Sequence, residues 1–202
     1  MKKTLIIIIA FLAFLIIAGM IIGPKFYNKS IALKEGATAQ WGNVESAYQR
    51  RADLIPNIVN TAKGYAEFEQ ETLTMVVEAR SKATSVTIDP SNITPEQLSQ
   101  FQEVQGGLTS ALARLLAVFE RYPDLKANEN FKELINELER TENRINVERN
   151  RFNESVRPFN EHLKKFPNNI INSFIGNFEI MDYFKAKEGT DEAPEVEFDF
   201  GN

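Results

Sequence analysis

The residues able to do chemistry are few. The chain has no cysteine and one histidine, so thiol nucleophiles, disulfide frameworks and zinc sites built from Cys or several His are excluded. The one histidine, His162, stands in Glu161-His162-Leu163-Lys164-Lys165 near the end of the longest helical pattern and reads as a surface residue. Glu133 with Glu137, and Glu67 with Glu71, are four apart and could share a cation on one helix face; on acidic helices such carboxylates are ordinarily solvated. No glycine-rich phosphate loop, nucleophile elbow or HExxH pair is present. The sequence is therefore read as that of a protein that is not an enzyme, with no catalytic, cofactor or metal residues and no small-molecule substrate.

Two polar constellations remain. The first is Arg51, Asp53, Pro56 and Asn57, the least core-like part of a long helical stripe. In one reading Pro56 kinks the helix by crowding the Ala52 carbonyl. Asp53 then caps or supports the chain there, Asn57 satisfies the freed carbonyl, and Arg51 pairs with an acidic group of a neighbouring helix. In the other, the bend exposes a docking site where Arg51 grips a carboxylate in bidentate fashion. The second constellation is a row spaced by fours and threes, Glu139, Asn143, Asn146, Asn150, Asn153, Arg157 and Asn160. Asn is a mediocre helix former, so its repetition on one flank calls for hydrogen bonds across a helix seam or to another subunit; the plain alternative is a solvated face.

The elements that must carry these residues follow from apolar spacing. Leu5 to Gly23 is a run of 19 uncharged residues, preceded by Lys2 and Lys3 and followed by Pro24, Lys25 and Lys29. As a helix it measures roughly 28 Å, enough to span a hydrocarbon core. A cleaved signal peptide would have a shorter apolar region and a small-x-small site, which Gly19-Met20-Ile21 matches poorly. Beyond it, four helices are expected near 26–66, 67–84, 95–121 and 128–166, the last with apolar residues near heptad spacing. Thr94-Pro95-Glu96-Gln97 is a capping-box start, and Gly106-Gly107 inside the third helix suggests a close helix approach or a local bend. The fold class expected is all-α: one transmembrane helix followed by an elongated antiparallel up-and-down bundle. The divisions are an anchor over 1–24, a bundle over 25–166, and an apolar segment with an acidic tail over 167–202. Net charge is −5 over 202 residues, which argues against a general nucleic-acid binder.

Several blocks together resemble the LemA family. They are Arg50-Arg51-Ala52-Asp53-Leu54-Ile55-Pro56-Asn57 with Lys63-Gly64-Tyr65-Ala66, then Glu78-Ala79-Arg80-Ser81-Lys82-Ala83, and Tyr122-Pro123-Asp124-Leu125-Lys126-Ala127-Asn128. Glu142-Asn143-Arg144-Ile145, Arg149-Asn150-Arg151-Phe152-Asn153, Phe166-Pro167-Asn168-Asn169-Ile170-Ile171 and Ala193-Pro194-Glu195-Val196 continue the likeness in order, over about residues 24–200. Gly106-Gly107, and Phe152 at a position usually Tyr, depart from the pattern. The resemblance implies a single-pass membrane protein with an elongated helical bundle, no established enzymatic activity, and a scaffold or accessory role at a membrane.

The remaining expectations concern surroundings. Ile170, Ile171, Phe174, Ile175, Phe178, Ile180, Tyr183 and Phe184 are too apolar for a free tail. They dock on the bundle, or Ile171, Phe174, Ile175 and Phe178 meet membrane or a partner. The expected partners are the membrane and either a second copy or an unidentified protein. The location is the cell (inner) membrane, and the orientation is nearly balanced by charge: Lys2 and Lys3 precede the span, Lys25, Lys29 and Lys34 follow it. The abrupt Met1-Lys2-Lys3-Thr4 start reads as a signal anchor, which puts the bundle outside the cytoplasm.

Overall fold

The structure is a computed structural model and describes residues 2–65 and 69–185. The start expected for the second helix at Glu67, one partner of the Glu67–Glu71 pair, Ala66 of the family block, the Ala193–Val196 block and the acidic tail lie outside the described residues. Within them the chain is all-helical: α1 Lys2–Lys63, α2 Gln70–Ser85, α3 Pro95–Phe119, a short α4 Pro123–Ala127, α5 Glu129–Lys164 and a single turn α6 Asn168–Ile171. A π-helical turn, Asn172–Gly176, follows α6, and an extended stretch runs to residue 185.

One uninterrupted helix joins the apolar run to the bundle. The run is exposed along almost all of its length and is long and apolar enough to cross a membrane. The 40 residues of α1 beyond it extend a further ~60 Å. Neither Pro24 nor Pro56 ends this helix, so Asp53 starts no new one there. It lies exposed and accepts from Gln49 Nε2 at 2.8 Å. The carbonyl that Pro56 cannot satisfy, that of Ala52, accepts instead from Arg80 Nε on α2 at 2.7 Å. Asn57, expected to fill that role, is exposed on the opposite side of the requirement. The donor comes from another helix because an arginine can reach across a packed interface, whereas Asn57 is held on the outward face of α1.

The bundle has two stretches of core. At the end far from the apolar run, α1, α2, α3 and the start of α5 enclose Ile55, Ile58, Leu73, Val76, Leu108, Leu115 and Phe131. Nearer the run, α1 and α5 continue as an antiparallel pair, α2 has stopped, and only the first turns of α3, with Leu98 and Phe101, take part. There Ile88 and Ile93 of the connecting loop, and Met181 and Phe184 of the C-terminal stretch, cover Trp41, Phe101, Phe152 and Phe159. Trp41 is the centre of that stretch, stacked on Phe184 with centroids 5.8 Å apart and met edge-on by Phe101 and Phe152 at 5.3 and 5.5 Å.

The local signals at α3 appear as expected at its start. Thr94 Oγ1 accepts from Gln97 N, and Gln97 Oε1 accepts from Thr94 N, both at 3.2 Å, with Pro95 at the first helical position. The glycine pair differs from expectation. α3 runs unbroken through Gly106 and Gly107, and a Cβ at either would meet nothing within 4 Å, so no neighbour approaches closely enough to require them. Each keeps only the entropic cost of a helical glycine, about 1 kcal/mol relative to Ala.

Candidate functional site

The family block centres on a buried arginine. Arg51 follows the apolar stripe of α1, one turn beyond Ala47 and Tyr48, and so its side chain enters the bundle although it is charged. It is 1% exposed. Its Nη1 donates to Glu142 Oε1 of α5 at 2.7 Å and to Thr109 Oγ1 of α3 at 2.9 Å. Nη2 donates to the Gln105 side-chain oxygen, and the guanidinium lies 5.1 Å from the centroid of the Tyr48 ring. Gln105 in turn donates from Nε2 to the carbonyl of Ala83 near the end of α2, at 3.1 Å. One side chain of α1 thus ties together four helices, bonding directly to α3 and α5 and through Gln105 to α2. Burial raises the Tyr48 hydroxyl above its usual value of 10.0, against the lowering by the Arg149 and Arg51 charges.

Of the other residues in that block, Asp53, Pro56 and Asn57 all face outward. The structure therefore does not gather Arg51, Asp53, Pro56 and Asn57 into one site. Arg50, beside Arg51, also points out and meets Glu137 at 2.6 Å. That hydrogen bond, with Arg140 adding to it, lowers the Glu137 carboxyl below the usual range. Glu137 is thus engaged by two arginines rather than poised with Glu133 for a cation, and no cluster of metal-ligating residues occurs among the described residues.

The asparagine row divides in two. Asn143, Asn146 and Asn150 are exposed. Asn153 and Asn160 turn inward and make paired bonds, but their partner is neither a helix nor a second subunit. Asn160 donates to the Met181 carbonyl at 2.7 Å and accepts from the Met181 amide at 2.9 Å. Asn153 does the same with Phe184, at 3.0 and 2.8 Å. The spacing explains the match: seven residues of helix rise about 10.5 Å and three residues of extended chain cover about 10 Å. Two side-chain amides one heptad apart, about two turns, therefore meet two peptides three residues apart in an extended segment running the other way. Gln102 and Arg149 hold its end, accepting from the Lys185 amide at 3.3 Å and donating to its carbonyl at 2.8 Å.

The turn that delivers this strand is fixed by the same chemistry. Asn172 donates to the Phe178 carbonyl at 2.8 Å and accepts from its amide at 3.0 Å. Between them, Gly176 allows no side chain, since a Cβ would sit 2.6 Å from Asn172 Oδ1 and 2.8 Å from the Phe178 ring. Asn177 takes the left-handed conformation, φ 45°.

Sequence reasoning missed Arg80, Gln105 and Glu148. Glu148 is a nearly buried carboxylate that accepts from Gln40 at 2.8 Å and Arg151 at 3.1 Å. Helical spacing places Glu148 in line with Thr141, Ile145 and Phe152 on the apolar stripe, a signal that could have marked it. His162 is also not the surface residue expected. Its ring stacks on Phe26 with centroids 5.1 Å apart, and Nδ1 lies 3.2 Å from Asn168 Nδ2. The reason is that α5 ends beside α1 at Phe26, so the inward side of its last turn meets an aromatic rather than water.

These features define a class: an all-helical bundle carried on an N-terminal helix suited to cross a membrane, with Arg51, Gln105, Glu148 and Asn160 bonded between elements inside it. Residues 40–198 match the LemA family, and the chain belongs to it. Magnetosome protein MamQ 2 of Paramagnetospirillum magneticum is 25% identical over 182 residues, 82% of this chain and 66% of the relative. MamQ of Magnetospirillum gryphiswaldense gives the same identity and coverage. Protein LemA of Metamycoplasma hominis is 30% identical over 103 residues, half of this chain and 43% of that protein. The chain thus spans just under two thirds of the length of its MamQ relatives. The family description and these names are not those of enzymes.

Proposed function

We propose that this protein is a non-enzymatic scaffold, a rod fixed to the bacterial cell membrane that organises copies of itself through its outer faces. The observation that carries this reading is the unbroken α1. A continuous helix transmits the position of the span to the bundle, so any surface on the rod is held at a set distance from the span. The inward direction of Arg51 supports the same view: the charged residue of the family block ties helices together and leaves the exposed flanks, including Asn143, Asn146 and Asn150, for contacts.

The second reading, an accessory subunit of a membrane enzyme or transporter, draws on the same exposed flanks. Crosslinking in intact cells followed by capture of the full-length chain separates the two. A scaffold returns chiefly itself with lipid; an accessory subunit returns one other protein in fixed stoichiometry. The proposed orientation, with the bundle outside the cytoplasm, is supported by Lys2 and Lys3 directly before the span. Protease added to spheroplasts is expected to digest the bundle from outside, and protection until lysis would reverse the orientation.

A further inference from the structure

We propose that residues 166–176 form a second membrane attachment, a wedge that enters the interfacial layer of the leaflet from which α1 emerges and prefers anionic lipid. This rests on the reading of α1 as a membrane span. The turn is packed against the end of the apolar run: Ile175 Cδ1 lies 3.2 Å from where a Cβ of Gly23 would stand, and Gly23 is itself buried there. At that level Phe166 and Phe174 are 80% and 81% exposed, with Ile170 and Ile175 about half exposed. The rest of the segment behaves differently, because Met181 and Phe184 are buried in the bundle. Ile180 and Tyr183 also keep 51% and 39% exposure, but the two most exposed apolar side chains of the segment, Phe166 and Phe174, are those placed beside the end of the span, where the hydrocarbon boundary would be.

Charge points to the same occupant. No acidic residue occurs from 162 to 178 or from 24 to 34, while Lys25, Lys29, Lys34, Lys164 and Lys165 lie within or beside those stretches. The Phe26–His162 stack brings the end of α5 level with the start of the bundle on α1, so Lys25, Lys29, Lys164 and Lys165 lie toward the same end, Lys165 also meeting Glu161 at 3.4 Å, while Lys34 lies farther along, near Asp89. Tyr27 is half exposed among them, as aromatic residues often are at a headgroup boundary. Apolar groups at the tip and lysines just behind them are the arrangement of an interfacial element bound to anionic lipid. Two attachments would fix both the tilt and the rotation of the rod, which one helix alone leaves free.

The absence of cysteine allows single labels in the full chain. Phe174→Cys, Asn146→Cys and Leu12→Cys, each carrying an environment-sensitive fluorophore, are reconstituted into vesicles of phosphatidylcholine and phosphatidylglycerol. A label at 174 is expected to emit blue-shifted from that at 146, to be quenched by nitroxide placed shallow on the lipid, and to lose quenching by aqueous iodide. That protection should be independent of the protein-to-lipid ratio and weaker without phosphatidylglycerol. A label at 170 reports the same contact, and adding Phe174→Asp should abolish its lipid quenching; Phe174 is exposed, so the bundle is not at stake. If the label at 12 is lipid-protected and that at 174 is as open to iodide as that at 146, the wedge is overturned. Exposure of the label at 12 would instead overturn the span itself. Protection at 174 that appears only at high protein density would mean a second copy covers the patch, which also overturns the wedge.

Discussion

Replacing Arg51 with Ala is expected to destabilise the bundle by about 3–5 kcal/mol, the range for breaking a buried ion pair by deleting one partner. The deletion strands the Gln105 side-chain oxygen and leaves Glu142 without its partner, while opening space between α1, α3 and α5. Arg51→Lys should recover only part of this. An ammonium is a single point of charge and cannot place one nitrogen on Glu142 and Thr109 and another on Gln105. Glu142→Gln leaves the enclosed guanidinium without its counter-charge but keeps a hydrogen-bond acceptor for Nη1, and should cost less, about 1–3 kcal/mol. Urea denaturation of the full chain in detergent micelles checks the order. A docking role predicts something else: an Arg51 variant of unchanged stability that fails to capture a partner.

Asn160 carries the second large effect. Asn160→Leu leaves both the amide and the carbonyl of Met181 unpaired in a buried setting, at a cost of about 1–3 kcal/mol for each group. Asn160→Asp should be at least as damaging, since it keeps an acceptor for the Met181 amide but sets a carboxylate oxygen against the Met181 carbonyl. Hydrogen exchange reads the consequence directly. The amides of Met181 and Phe184 are expected to lose protection together, while those of α3 keep theirs, because the strand is held as a unit by Asn153 and Asn160. Loss confined to Met181 would mean that the strand is held by its apolar side chains, Met181 and Phe184, and that the asparagines contribute little.

The contrast between these residues shows what a sequence exposes and what it conceals. The capping box at Thr94 and Gln97 is complete within four residues, so its partners are legible where it stands. The asparagine row announces that hydrogen bonds are needed, yet Asn160 and Met181 are 21 residues apart, and the match of heptad to extended strand depends on a chain reversal that local pattern does not encode. Pro56 is similar: its missing donor and the orphaned Ala52 carbonyl follow from chemistry, but the donor, Arg80, arrives from α2. Apolar periodicity finds α1, α3 and α5 because each buries a continuous stripe. It does not show that α2 stops short, or that Met181 and Phe184 of the C-terminal segment complete the cover of Trp41 and Phe159 beside Phe101 of α3. Of the Arg51 block, the sequence shows a charged residue on a helical stripe; only the packing shows that Arg51 turns in while Asp53 and Asn57 turn out.

Arg51, Asn153 and Asn160 bond the elements of the bundle to one another, and α1 joins the bundle to the apolar run without a break. The proposed scaffold is expected to occur as an assembly of itself in its membrane. The most direct measurement is the mass of the full-length protein extracted with its surrounding lipid by an amphipathic polymer, without detergent, and weighed intact. The expected result is a series at multiples of the 23.0 kDa chain, with lipid the only other component. A single species containing one copy of the chain and one copy of a different protein would contradict the scaffold.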